Sequence, residues 1–167
     1  MVFTIVSTNY IAYAATLMRS VAEHVPDAKR FIILSDTPRK FTNVNLFATL
    51  LSCEEIGIAH IENMKMWYSV IEFNTAIKPY AFLFMFEQCD FDEACYIDPD
   101  ILLFSGMDEV FTALQDHSCV LTPHMLEPLQ DGKEPSDLTI MKSGVYNLGF
   151  LGLRNDDDGR SPGQMVG

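Results

Sequence analysis

The chain has 167 residues, of which 49% are hydrophobic, so it is long enough to bury the core of one globular domain or to form part of a larger protein. Its 23 acidic and 11 basic residues give a formal net charge of −12, which argues against a nucleic-acid-binding surface, because such surfaces need lysine and arginine to neutralise phosphates. The apolar stretches are short and the apolar N-terminus has no basic lead-in, so the sequence predicts neither a transmembrane segment nor a secretory signal.

The N-terminal part of the chain predicts a βαβ unit. Residues 2–7 (VFTIVS) are short and rich in β-branched side chains, as in a buried strand. Apolar side chains then recur at helical spacing over residues 8–24, and residues 30–36 (RFIILSD) form a second apolar run that ends in an acid. A strand, a helix and a strand in this order imply a parallel sheet with a right-handed crossover.

The middle of the chain combines helices and strands. Residues 43–61 are ambiguous and could hold a strand and a short helix. Residues 63–88 have a helical pattern, and Pro79 within it predicts two helices that meet near Ile77 and Lys78. The further predicted elements are a strand over 93–98 with a short continuation over 101–104 (ILLF), a helix over 107–117 and a strand over 118–123.

The C-terminal part predicts a loop over residues 124–137, which contains two prolines, and a last strand over residues 144–153. The residues beyond 154 are polar and are predicted to be disordered. Together these patterns predict one α/β domain over residues 1–154, with a mainly parallel sheet, and a polar tail over residues 155–167.

The four cysteines, at positions 53, 89, 95 and 119, form no C-x-x-C pair and have no histidines at zinc-site spacing beside them. This pattern is typical of a reduced cytosolic protein with buried thiols, so we expect a cytoplasmic location. A protein this acidic would bind a diphosphate most easily through a divalent cation, although from the charge alone a soluble acidic surface is the favoured explanation.

Two aspartates interrupt the apolar run ACYIDPDILLF. Asp98 and Asp100 flank Pro99 and directly follow a predicted strand, where open parallel sheets collect their ligands. Residues two apart on an extended backbone point to the same side, so both carboxylates could face one ligand. Two hard oxygen ligands, completed by water and phosphate, are typical of a magnesium or manganese site. Short D-x-D stretches also occur as strand-end turns and caps, and that alternative stays open.

Four segments taken together resemble a known family. In chain order they are FTIVSTNYIAYAATLMRSV, EFNTAIKPYAFLFMF, YIDPDILLF and SGVYNLGFLGL. They resemble glycosyltransferases of the GT-A fold, especially the group close to family 8, from about Phe3 to Arg154. The resemblance implies a Rossmann-like α/β fold with a mainly parallel central sheet. It also implies transfer of a sugar from a nucleotide-diphosphate donor to an acceptor hydroxyl.

The resemblance implies a role for each matching position. Asp98 and Asp100 match the D-x-D that holds Mn²⁺ or Mg²⁺ on the diphosphate of a nucleotide-sugar donor. The segment Thr8, Asn9 and Tyr10 follows the first strand, where the family binds base and ribose. Tyr10 could stack on the base or simply pack on the sheet. Asp36 could accept a hydrogen bond from the nucleoside or cap the turn before Pro38.

Four further residues complete the candidate set. Lys78 could reach a phosphate or pair with the D-x-D acids, and the alternative is ordinary solvent exposure. Asn147 and Gly149 match the family's N-x-G, in which the amide faces the sugar and the glycine allows close approach. His124 also follows a predicted strand and is assigned to the sugar or acceptor, with a structural role as the alternative. No catalytic residue is assigned, uridine diphosphate sugars are the favoured donors, and family 8 similarity favours retention of configuration.

One departure from the family affects the prediction. GT-A enzymes commonly take a further metal ligand, often a histidine, from beyond the N-x-G strand, whereas this chain stops 18 residues after Gly149 without a histidine. We therefore expect the chain to be the C-terminally truncated, front portion of a longer protein. That keeps open a non-catalytic domain that binds a nucleotide sugar without transferring it.

Haloacid-dehalogenase-type phosphatases are another enzyme class with a D-x-D after an apolar strand. They use the first aspartate as a nucleophile, place the motif near the N-terminus and follow it with threonine or valine. Here Ile101 and Leu102 follow the motif at mid-chain, so a metal-dependent phosphohydrolase is disfavoured.

Overall fold

The structure, a computed structural model, describes residues 1–36, 45–127 and 136–156. Its strands are β1 (Val2–Val6), β2 (Arg30–Leu34), β3 (Thr49–Ser52), β4 (Glu93–Ile97), β5 (Cys119–Pro123) and β6 (Tyr146–Arg154). Its helices are α1 (Ile11–His24), α2 (Ile61–Trp67), α3 (Val70–Ala76), α4 (Lys78–Glu87), α5 (Asp108–Asp116) and α6 (Asp137–Ser143). A single turn of 3₁₀ helix, Thr8–Tyr10, precedes α1.

The six strands form one sheet in the order β3-β2-β1-β4-β6-β5. The first four strands of that order run parallel to one another, and within the described part of the chain β6 is antiparallel to both its neighbours. Parallel strands place their carboxyl ends on one edge of the sheet, so the residues that follow β1, β2 and β4 meet there. The predicted α/β fold with a mainly parallel sheet is therefore confirmed.

Helices cover both faces of the sheet, which explains why the central strands are continuous apolar runs rather than alternating ones. Successive strand residues point to opposite faces. Phe3 and Ile5 pack on α3 and α4, in a core that includes Phe82. Val2 and Val6 face the opposite side, where the core is built with α1 and α5.

The predicted strand continuation over residues 101–104 is wrong. The amide nitrogen of Ile101 donates to the carbonyl oxygen of Asp98 at 3.1 Å, which closes a turn with Pro99 at its second position. The turn directs the chain away from the sheet, so Ile101, Leu102 and Phe104 are exposed. Their apolar character suggested a strand, but the proline turn before them ended the pairing.

The helical region between residues 61 and 87 holds three helices, where two were predicted. The predicted junction at Ile77 and Lys78 is present, and a further break separates α2 from α3. Ser69 and Glu72 form a capping box at that break, each side chain bonding the other's backbone amide. Its S-x-x-E signature was present in the sequence and should have indicated a new helix start.

Smaller differences concern the ambiguous and loop regions. Strand β3 lies in the ambiguous region 43–61, but no helix occurs within the described residues 45–60. Helix α6 was not predicted, and Ser136 caps it by accepting from the backbone nitrogen of Thr139. The rest of the predicted loop (residues 128–135) and most of the predicted tail (residues 157–167) lie outside the described residues.

All four cysteines are free, but they are not all buried as expected. Cys53 and Cys95 are buried, Cys89 is half-buried and Cys119 is exposed at the start of β5. Burial raises the pKa of the Cys53 thiol to about 11 and that of Cys95 to about 12. Among the helices that the structure describes, none is long and apolar enough to cross a membrane.

We predict that Phe3→Leu lowers the free energy of unfolding by about 1–3 kcal/mol. The Phe3 ring is fully buried and makes edge-on contacts with the rings of Phe82 and Tyr96, at centroid distances of 4.9 and 5.5 Å. Urea denaturation would measure the change. Phe104→Leu is the matched control, because Phe104 is 83% exposed, and it should stay within about 0.5 kcal/mol of the parent. Equal effects of the two changes would contradict the assigned core.

Candidate functional site

The D-x-D lies in a turn and not on extended backbone, so the period-two argument for its two carboxylates does not apply. Asp98 is the first residue of the turn and Asp100 the third. Both carboxylates nevertheless line the same cleft, which has a volume of about 310 Å³. The two carboxylates therefore share one site, as the sequence predicted, but a turn and not an extended strand brings them together.

The cleft lies at the carboxyl edge of the parallel strands, where α/β proteins bind their ligands. The ends of β1 and β4 form its floor, and α3 and the start of α4 form one wall. Its lining residues are Ile5, Val6, Ser7, Tyr10, Val70, Ile71, Asn74, Thr75, Lys78, Tyr96, Asp98, Pro99 and Asp100. The structure thus places Tyr10, Lys78 and both D-x-D acids around one cavity.

Lys78 is buried, so the solvent-exposed alternative for it is wrong. Its Nζ atom donates to the carbonyl oxygen of Leu148 at 3.0 Å and lies 3.8 Å from Asp98 Oδ1. It also lies 4.1 Å from the centroid of the Tyr96 ring, as in a cation–π contact. Burial lowers the pKa of the Lys78 ammonium, and the Asp98 charge acts in the opposite direction.

The Asp98 carboxylate is held from several sides. The Tyr96 hydroxyl donates to Oδ1, the same oxygen that Lys78 approaches. Burial, followed by the Asp98 charge, raises the pKa of Tyr96 well above its ordinary value, so the phenol remains a donor. The sequence interpretation missed Tyr96, although its position two residues before Asp98 at the end of one strand was a usable signal.

The N-x-G residues lie beside Asp98 because β6 pairs with β4. The backbone nitrogen of Asp98 donates to the carbonyl oxygen of Gly149 at 2.7 Å, and the nitrogen of Gly149 donates to Asn147 Oδ1 at 2.9 Å. A Cβ atom at Gly149 would stand 2.9 Å from Asn147 Oδ1 and 3.0 Å from Asp98 Oδ2. Glycine is therefore required here by close approach to the D-x-D carboxylate.

Asp36 accepts hydrogen bonds from Thr8, a contact that neither sequence interpretation of Asp36 (a nucleoside contact or a turn cap) anticipated. Both its carboxylate oxygens accept from the backbone nitrogen of Thr8, each at 3.0 Å, and Oδ1 also accepts from the Thr8 hydroxyl at 2.7 Å. These bonds tie the end of β2 to the 3₁₀ turn after β1. Within that turn the Ser7 hydroxyl donates to Asn9 Oδ1 at 2.5 Å. Pro38, part of the alternative interpretation, lies outside the described residues.

Tyr10 and His124 differ in their relation to the cleft. Tyr10 lines the cleft, is 46% exposed, and packs against Tyr13 with ring centroids 5.4 Å apart. His124 is exposed at the end of β5, and its Nδ1 atom lies 2.9 Å from the carbonyl oxygen of Gly144. It is not among the described residues that line the cleft, so its role toward sugar or acceptor stays a prediction.

Asn74 is a cleft residue that the sequence interpretation did not single out. Its side-chain oxygen is buried and has no hydrogen-bond partner within residues 1–36, 45–127 and 136–156. Buried polar atoms are normally paired, so an unpaired one in a cleft wall is a candidate ligand contact. Nothing in the helical pattern around Asn74 distinguished it from an ordinary helix residue.

The acidic residues of the cleft are too few to complete the coordination of a cation without further ligands. Across the described ranges, no three side chains of His, Cys, Asp or Glu converge as metal ligands. The protein therefore offers Asp98 and Asp100, two hard oxygen ligands of the kind that Mg²⁺ and Mn²⁺ prefer. A bound diphosphate and water would have to complete the coordination.

Comparison with protein-family models and with curated proteins finds no match. Solved structures do match. The galactosyltransferase LgtC, in complex with donor and acceptor sugar analogs, is similar at a TM-score of 0.58 and 18% identity. The glycosyltransferase GlyE of Streptococcus pneumoniae has a TM-score of 0.56 and 18% identity, and mouse xyloside xylosyltransferase 1 has 0.54 and 8%.

These alignments cover 95%, 98% and 92% of the present chain, respectively. The chain has the GT-A glycosyltransferase fold. It spans 59% of the length of LgtC, 36% of GlyE and 66% of the xylosyltransferase. The fold predicted from the four sequence segments is therefore confirmed, whereas activity and substrates remain to be proposed.

We predict that Gly149→Ala is less stable than Gly106→Ala by about 1–2 kcal/mol. The added methyl group must displace Asn147 Oδ1, which accepts from the Gly149 nitrogen, or Asp98 Oδ2, whose carboxylate is held through its other oxygen by Tyr96 and Lys78. Gly106 is the matched control, since its nearest neighbour would lie 3.5 Å from the new Cβ. Both changes reduce the entropy of the unfolded chain similarly, so the difference isolates the crowding. Equal unfolding free energies in urea would show that Asp98 is not held as described.

Proposed function

We propose that the protein transfers a sugar from a nucleotide-diphosphate donor to an acceptor hydroxyl, with Mn²⁺ or Mg²⁺ held by Asp98 and Asp100. The observation that carries this proposal is the convergence of both carboxylates on one cleft at the carboxyl edge of a GT-A sheet. The cation, when bound, would neutralise charge on the departing nucleoside diphosphate. Hard carboxylate ligands completed by phosphate fit such an ion.

The residues around Asp98 would prepare the site before any ligand arrives. Tyr96 donates to Asp98 Oδ1 and Lys78 stands beside it, so that one carboxylate is oriented without a cation. Groups that are already oriented cost no reorganisation at the moment of reaction. The buried Lys78 ammonium also adds positive charge at the wall that the diphosphate would face. Its place beside the acids supports the pairing role assigned to it.

The remaining assigned residues would divide between the two ends of the donor. Asn147 and Gly149, beside Asp98, would face the sugar, and His124 would lie further toward the acceptor. Thr8, Asn9 and Tyr10 would face the nucleoside, with Asp36 supporting their turn. We further propose a uridine diphosphate sugar as donor, retention of configuration as in family 8, and a cytoplasmic location.

A non-catalytic nucleotide-sugar-binding domain is the second candidate. It is favoured by the lack of a third convergent metal ligand in the described residues. A loosely held cation would orient the donor poorly, and orientation can account for about 7–11 kcal/mol of a barrier in favourable cases. Incubation with a labelled UDP-sugar, Mn²⁺ and simple glycoside acceptors separates the candidates. Transfer supports the enzyme, hydrolysis alone supports a hydrolytic activity, and saturable binding without turnover supports the binding domain.

We predict that Asp98→Asn and Asp100→Asn each abolish most of the thermal stabilisation that Mn²⁺ plus UDP gives the parent. A ligand at 100 times its dissociation constant stabilises a fold by about 2.7 kcal/mol, so its loss is measurable by differential scanning fluorimetry. Asp27→Asn is the control, because Asp27 is exposed in the turn after α1. If both cleft variants are stabilised as strongly as the parent, the metal assignment is wrong.

We also predict that the chain binds UDP more tightly than GDP in the presence of Mn²⁺. This expectation rests on the family 8 resemblance and on the turn of Thr8, Asn9 and Tyr10 beside the cleft. Isothermal titration with the four common nucleoside diphosphates measures the order of affinity. Tightest binding of GDP would rule out the uridine preference while leaving the metal site unaffected.

A further inference from the structure

The two carboxylates of the D-x-D are held in different ways. Asp98 accepts from the Tyr96 hydroxyl and has the Lys78 ammonium beside it. Asp100 is exposed, and its side chain forms no hydrogen bond or ion pair with another residue in the described part of the chain. The direction of the Asp100 carboxylate therefore depends on the backbone of the turn and on what holds that turn at its two ends.

The sheet fixes the entry to the turn but not its exit. The backbone nitrogen of Asp98 donates to the carbonyl oxygen of Gly149 on β6, which ties the entry to a strand. The bond from Ile101 to Asp98 closes the turn but lies within it. Residues 102–106 then belong to neither a helix nor a strand. No regular pairing therefore sets the path by which the chain leaves Asp100.

A cavity separates the turn from the start of α1. It has a volume of about 270 Å³ and lies between Ala12, Tyr13 and Thr16 on the helix and residues 99–102 on the turn. Asp100 lines this cavity as well as the cleft. The turn therefore has space on both sides, and side-chain packing alone does not fix the position of Asp100.

Ser20 is the point on α1 at which the chain beyond the turn is held. It is buried and lies one helical turn after Thr16 on the same face of the helix. Its hydroxyl donates to the carbonyl oxygen of Leu17 at 2.7 Å and accepts from the backbone nitrogen of Leu103 at 3.1 Å. Among the described residues, this is the only hydrogen bond that joins residues 102–106 to another element. The Leu103 side chain packs into the core that α1 and α5 form with the sheet, so the segment is anchored at this one place.

We propose that Ser20 is a positioning residue for the candidate metal site. By accepting from the Leu103 nitrogen it fixes the exit of the D-x-D turn, and this holds the Asp100 carboxylate toward the cleft before a cation binds. The inference rests on the proposed binding of Mn²⁺ or Mg²⁺ by Asp98 and Asp100. A site that must first be ordered binds its ligand more weakly, in proportion to the fraction of molecules that are already ordered. Ser20 would in this way affect the affinity for the cation without touching it.

Calorimetric titration with Mn²⁺–UDP tests the proposal. Ser20→Ala removes the hydrogen-bond acceptor and introduces a good helix former, so the fold should persist. We expect the dissociation constant for Mn²⁺–UDP to rise about 2- to 12-fold, the range that corresponds to the net contribution of one hydrogen bond, with an unchanged number of sites. The affinity for UDP without metal should not change. Ser20→Thr, which keeps a hydroxyl, should bind Mn²⁺–UDP more tightly than Ser20→Ala.

Val21→Ala is the matched control for a general effect on α1. Val21 is the next residue, is fully buried and takes no part in the bond to Leu103. Its truncation should lower the free energy of unfolding without weakening the binding of Mn²⁺–UDP. Hydrogen exchange followed by NMR gives a readout that needs no ligand. The Leu103 amide should be protected in the parent and should exchange faster in Ser20→Ala than in Val21→Ala.

Three results would overturn this assignment and leave the proposed function standing, provided that the binding of Mn²⁺–UDP by the parent depends on Asp98 and Asp100. They are parent-like affinity in Ser20→Ala, the same loss of affinity in Val21→Ala, and a Ser20→Thr variant that binds no more tightly than Ser20→Ala. An equal fall in the affinity for metal-free UDP, or a loss of sites alone, would also count against it, because neither reflects a misdirected Asp100 carboxylate. Absence of any Mn²⁺-dependent binding by the parent would overturn the proposed function and this inference together.

Discussion

The carboxylate of Asp98 is the group on which the candidate site depends, because three elements of the fold meet at it. Tyr96 reaches it from β4, Lys78 reaches it from the first turn of α4, and Gly149 on β6 leaves the space it occupies. The Asp98 side chain is 39% exposed and keeps part of its hydration, and the Tyr96 hydrogen bond and the Lys78 charge offset the part that it loses. The same contacts fix the orientation of the carboxylate at the cleft. The contacts that hold these three elements together are therefore the same ones that position Asp98 in the candidate site.

Lys78 depends on these contacts as much as Asp98 does. A buried ammonium is costly when one partner is removed, because the remaining charge is then uncompensated. Here the ammonium is shared among the Asp98 carboxylate, the Leu148 carbonyl and the face of the Tyr96 ring. It thereby joins α4 to both β4 and β6. A charge at the site therefore helps to position α4, in addition to apolar packing. The neighbouring helix α3 forms a wall of the cleft.

The sequence was sufficient for features that depend on local patterns. The strands β1, β2 and β4 are short apolar runs between polar or turn-forming residues, and Pro79 marked the start of α4. The D-x-D position was also predictable, because it directly follows such a run. The Asp36–Thr8 bonds were not, since they join the ends of two strands 28 residues apart. Nor was the role of Asn74, because helical periodicity describes which face a residue occupies and not which of its polar atoms lack a partner. The wrong strand at residues 101–104 shows the same limit: a turn bond after Pro99 outweighed four apolar side chains.

The antiparallel strand β6 also determines when the sheet can be completed. It is last in chain order among the described strands, yet it lies between β4 and β5, and β5 has no other strand neighbour in the described sheet. During synthesis from the N-terminus, β1 to β4 can pair before the rest has emerged, whereas β5 must wait with an unpaired edge for β6. Pairing between strands that are far apart in the sequence is intrinsically slow, because the loop between them must be closed first. Gly149 arrives with β6, so the backbone contact to the D-x-D turn forms only after β6 has emerged, and a ribosome-bound chain that ends before β6 would lack it.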